Sequence, residues 1–129
     1  MFETSFSIDE IKFKNIDLKG VNLEIFLKVK NKFFMDIELN DIYISLYKEC
    51  VKSGDKIGEG RLQKNYCLCA NEENQVKLDI KVYYSGIMIN AIPALIKKGF
   101  LCALDIDIYF KIAFFKGHKN IVETKFFSL

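Results

Sequence analysis

Hydrophobic and polar residues alternate along most of this chain. From Val21 to Val29, the residues Val21, Leu23, Ile25, Leu27 and Val29 alternate with Asn22, Glu24, Phe26 and Lys28, the period-two pattern of a strand with one buried face. Val76, Leu78, Ile80 and Val82 repeat it against Lys77, Asp79, Lys81 and Tyr83, as do Leu104, Ile106, Ile108 and Phe110 against Asp105, Asp107, Tyr109 and Lys111. Further strands are expected over 37–47, where Ile42, Ile44 and Leu46 oppose Tyr43, Ser45 and Tyr47, and over 121–127. A short strand is expected at 57–62 and a less regular first one at 6–13. Ser53-Gly54-Asp55 and Lys116-Gly117-His118-Lys119 read as hairpin turns, because glycine accepts the positive φ such turns demand. Asn71-Glu72-Glu73-Asn74 reads as a polar loop. Short strands with turn signals at these intervals predict an all-β antiparallel sandwich or barrel.

One segment departs from the alternation. Over 85–99 the chain has a possible cap at Ser85-Gly86, apolar residues at helical spacing, then Lys97-Lys98-Gly99. Lysine near a helix end and glycine just past it are stop signals. Pro93 removes an amide donor and restricts Ile92, so a kinked or late-starting short helix is expected at about 87–98, covering one end of the sandwich.

Composition narrows the class further. A chain of 129 residues, half of them hydrophobic and 28% charged, reads as one domain over 1–129 that buries a core unaided and is not disordered. Nineteen basic and seventeen acidic residues are interspersed, which leaves no nucleic-acid footprint. Arg61 is the only arginine, the residue that reads phosphates bidentately. Lys28, Lys30 and Lys32 therefore read as a solvated strand face. No apolar run approaches the roughly 20 residues of a membrane span, and Met1-Phe2-Glu3-Thr4-Ser5 is not a signal sequence, so the protein is expected to be cytoplasmic unless a leader precedes Met1. Cys50, Cys67, Cys69 and Cys102 lack the density of a disulfide scaffold and are expected to be free thiols.

The order of these segments resembles a known family. Leu23 to Asn31, then Ile37-Glu38-Leu39-Asn40-Asp41-Ile42, Gly58-Glu59-Gly60, Val76 to Val82, Tyr84-Ser85-Gly86, the insert ending Lys97-Lys98-Gly99 and the closing Phe126-Phe127-Ser128-Leu129 look like the water-stress-and-hypersensitive-response (WHy) domain. That domain defines the atypical, folded late-embryogenesis-abundant proteins, and the resemblance covers about 8–129. It implies a seven-stranded fibronectin-type-III-like sandwich with one helix, and Asn31, Gly58, Gly60, Gly86 and Gly99 as its structural motif positions. The family usually has Asn-Pro-Asn after the long second strand; here the stretch is Asn31-Lys32-Phe33-Phe34. Asn31 can still end the strand and bond its own backbone.

Few residues suggest chemistry. Cys67-Leu68-Cys69 lacks zinc-knuckle spacing and a second ligand pair, so both thiols read as small buried hydrophobes on an inner strand face. His118 reads as solvated in a turn, and Asp105 and Asp107 as outward carboxylates balanced by Lys77 and Lys81 on another strand. Gly58-x-Gly60 lacks the setting of a phosphate loop and reads as a bend or bulge. No catalytic residue, cofactor or metal site is expected. The surplus lies in phenylalanine: at least one member of Phe33-Phe34 and of Phe114-Phe115 must point away from a single-faced core, through loop burial or as an exposed patch able to meet a partner. The expectation is a non-enzymatic, stress-protective protein whose surface shields client proteins. The alternative is a module binding a protein or apolar ligand, membrane-tethered in its full-length form.

Overall fold

The computed structural model describes residues 4–16, 19–48, 56–84 and 99–127. Seven antiparallel strands fill them: β1 (Thr4–Ile16), β2 (Gly20–Asn31), β3 (Ile37–Lys48), β4 (Lys56–Leu68), β5 (Glu72–Tyr84), β6 (Phe100–Ile112) and β7 (Phe115–Phe127). The chain is thus all-β over these residues. The expected helix at 87–98, Gly86, Cys50 and the 53–55 turn lie outside them. Gly99 has φ 77°, a left-handed conformation that glycine adopts without strain.

The strands form one curled sheet in the order β1-β2-β5-β4-β3-β6-β7. Two layers are recognisable within it, β1-β2-β5 and β4-β3-β6-β7. Their hydrogen-bonded seam is short, pairing Gly58 with Tyr84 and Glu59 with Tyr83. Glycine is needed here: a Cβ on Gly60 would lie 2.5 Å from the Lys81 carbonyl oxygen, and one on Gly58 2.8 Å from that of Tyr83. On the opposite side, β1 meets β6 and β7 through side chains. The Phe6 and Phe110 rings lie 5.1 Å apart, and Lys125 reaches over the Phe13 ring and donates to the Ile11 carbonyl. The sheet is therefore nearly barrel-shaped.

The predicted alternation supplies the core. Val21 to Val29 on β2, Val76 to Val82 on β5, and Leu104, Ile106 and Ile108 on β6 send alternate residues into one buried cluster shared by both layers. Bulges account for the irregular strands. The β1–β2 register shifts between Ile8 and Glu10, which moves the inward set from Phe6 and Ile8 to Ile11 and Phe13. A shift in β3 between Leu39 and Asp41 likewise carries Ile37 and Leu39 into phase with Ile42, Ile44 and Leu46.

Four local expectations are corrected. The short strand expected at 57–62 is the 13-residue β4. β5 begins at Glu72, so the predicted polar loop shrinks to a turn at Ala70-Asn71, where Asn71 has φ 58°. The β6–β7 turn is Ala113-Phe114, with Ala113 at φ 54°, and residues 116–119 belong to β7. Gly117 serves packing instead: a Cβ there would lie 2.2 Å from the Phe110 ring. Cys67 and Cys69 are exposed, because Leu68 pairs with Ile37 and takes the inward position between them.

Candidate functional site

Strand register gathers three connections at one end of the barrel. Thr4 and Glu72 both face Asn31, Ile37 faces Leu68, Glu38 faces Lys111, and Ile112 faces Phe115. The segments 32–36, 69–71 and 113–114 therefore share that end. Two of them, β2–β3 and β4–β5, cross between the layers, and Asn31 ties them together. Its buried side chain donates to the Met35 carbonyl at 2.8 Å and to the Cys69 carbonyl at 3.3 Å. Its oxygen accepts the Phe33 amide at 3.1 Å. Asp36 accepts the Ala70 amide at 2.8 Å, and the Asn71 amide donates to the Phe33 carbonyl at 3.1 Å.

On this frame sit the paired phenylalanines. Phe33 and Met35 pack partly buried against the core, whereas Phe34 is 73% exposed, Phe114 95% and Phe115 63%. The Phe33 and Phe34 rings are 4.5 Å apart. Two loops thus carry large apolar rings into solvent at the same end of the molecule, which single scattered surface hydrophobes do not do.

A second feature lies on the outer face of β4-β3-β6-β7. Pairing places Arg61, Tyr43, Asp107 and Asn120 in one row and Gln63, Asp41, Tyr109 and His118 in the next. The rows are cross-braced. Arg61 donates to Asp41 at 3.4 Å and sits over the Tyr43 ring, Tyr43 meets Tyr109 edge-on, and Tyr109 stacks on His118 with centroids 4.6 Å apart. His118 Nε2 lies 2.9 Å from Asp107 Oδ1, which places a proton on Nε2. Asn120 donates to both Asp105 and Asp107. The carboxylates are thus held by His118 and Asn120 of β7, not by Lys77, which pairs with Glu24. A groove of about 610 Å³ lies beside these rows at the β3 bulge, lined from Tyr43 to Gly117 and including Asn40.

Elsewhere the chemistry is sparse. Among the described residues no three His, Cys, Asp or Glu side chains converge as metal ligands, and Cys67, Cys69 and Cys102 are free. The Glu72 carboxylate, with burial and Asp36, pushes the Cys69 thiol up. Burial pushes Cys102 to about 12, so neither carries the lowered pKa of a nucleophilic thiol. No helix among the described residues is long and apolar enough to cross a membrane.

Solved structures share this fold. A protein from Archaeoglobus fulgidus superposes with a TM-score of 0.66 at 11% identity, covering 95% of this chain and 98% of its own. A solution structure assigned to the late embryogenesis abundant (LEA) group gives a TM-score of 0.66 at 18% identity over 97% of this chain and 71% of that one. A further Arabidopsis thaliana solution structure gives 0.63 at 16% identity, covering 96% and 82%. The chain therefore has a LEA-like fold. No protein-family profile and no curated sequence relative matches it.

Proposed function

We propose that this protein is a single-domain, non-enzymatic stress-protective protein of the LEA/WHy type, which limits the aggregation of other proteins by contact through its folded surface. The fold shared with a LEA-group structure over nearly the whole chain supports the class. The observation that carries the contact mechanism is the exposure of Phe34, Phe114 and Phe115 at one end of a rigid barrel. Unfolding clients expose apolar surface, and rings presented at this end can cover it without the protein itself unfolding. Such contact is weak, because three rings bury too little area to form a lasting complex. The resemblance also brings with it a fibronectin-type-III-like relationship for the sandwich.

An aggregation-prone enzyme taken through freeze–thaw cycles with an equimolar amount of this protein tests the proposal. More activity should survive than with an equal mass of albumin; survival no better than with albumin would sink it. The same exposed rings favour a second reading, a module docking one specific protein or apolar ligand. In that case protection would be confined to one client, and a stoichiometric complex would be recovered.

A further inference from the structure

The outer-face groove is not lined by Phe34, Phe114 or Phe115. It lies along the β3 bulge, at about 610 Å³ within the roughly 300–1,000 Å³ range of small-ligand sites. Tyr43, Tyr109 and Phe110 supply its apolar surface, with Tyr109 42% exposed. Both tyrosine rings are held before any ligand arrives, Tyr43 under Arg61 and Tyr109 on His118, so binding need not order them. Around them stand acceptors and donors together. Glu38, Asn40 and Asp41 of β3, Asp107 and Lys111 of β6, and Lys116 of β7 line it together.

The charge balance selects the ligand. Asp41 is already paired with Arg61 and Asp107 with His118, while Glu38 faces Lys111 across the strands. An anion entering the groove meets three carboxylates, and a cation meets two ammonium groups; each gains little over water. An apolar ligand would strip water from the same groups and return no hydrogen bonds. A neutral polyhydroxylated ring uses all of them: hydroxyls donate to the carboxylates, accept from the lysines, and C–H faces rest on tyrosine. We propose that the groove between Tyr43, Tyr109 and Lys116 is a binding site for neutral saccharides.

Titration of the ¹⁵N-labelled protein with maltose, and with glucuronate and glucosamine as charged counterparts, tests this. Maltose should shift the amides of Asn40, Asp41, Tyr109 and Gly117 saturably, with a dissociation constant on the order of 1 mM, and bind more tightly than either charged sugar. Tyr109→Ala should weaken it about tenfold. Lys116→Ala, which leaves the Arg61–His118 ladder untouched, should weaken it severalfold with the rest of the spectrum unchanged. Shifts spread over the surface without saturation, preference for a charged sugar, or undiminished binding by the folded Lys116→Ala protein would each overturn the proposal.

Discussion

Asn31 shows how a single side chain can set the geometry of one end of a barrel. Its two donors and one acceptor are all used, on two connections that each cross between the layers. Asn31→Ala removes all three bonds and leaves two carbonyls unpaired, at a cost of about 2 kcal/mol, read as a lower urea midpoint. Asn31→Asp should be at least as damaging, since a carboxylate cannot donate and its charge is buried; an unchanged midpoint in either variant would contradict the clamp. Glu24 is a second buried polar residue held by its partners. It receives Lys14 at 3.0 Å and Lys77 at 3.4 Å, and the Lys14 ammonium beside it holds its carboxyl below the ordinary value of 4.5, against the opposing effect of burial. A depressed folded-state pKa gives stability that is present above the unfolded value and lost as pH falls through the folded one. The stability of the native protein should therefore fall below about pH 4.5 more steeply than that of Glu24→Gln, and coincident acid limbs would refute it.

At the level of elements, strand identity was readable wherever one face is buried, because alternation is the direct imprint of burial. Val21–Val29, Val76–Val82 and Leu104–Phe110 needed nothing more. What failed to show has specific causes. The second half of β4, Gln63-Lys64-Asn65, and the first half of β7, Lys116 to Asn120, are polar and exposed, so hydropathy is silent there. Bulges at Asp9 and Asn40 flip the parity of β1 and β3, which looks like irregularity until the register is known. Glycine misled at Gly117, since a glycine kept for a close ring contact and one kept for a turn are identical in sequence. The exposed phenylalanines could be suspected from adjacency alone. The Arg61–Tyr43–Tyr109–His118 ladder could not, because it needs the pairing of β3 with β6. Gly60 carries the prediction at this scale. Gly60→Ala sets a methyl group against the Lys81 backbone and must part β4 from β5, so amide exchange at Glu59 and Tyr83 should quicken more than at the centre of β2. Equal protection would show that the seam tolerates the side chain.

Across the whole molecule, a closed frame carries the exposed rings at one end. The frame is a curled sheet whose core residues interlock from both layers, closed on one side by Gly58-Glu59 against Tyr83-Tyr84 and on the other by Phe6, Phe13, Phe110 and Lys125. Rigidity matters because exposed apolar rings on a mobile loop would collapse onto the protein's own surface. If Phe34, Phe114 and Phe115 make the protective contact, the triple variant Phe34→Ser, Phe114→Ser, Phe115→Ser loses protection in the freeze–thaw assay. All three side chains are largely solvated, so the thermal midpoint should hold or rise slightly while client protection falls to the level of albumin. A folded triple variant that protects as well as the parent would show that the aromatic end is not the working surface.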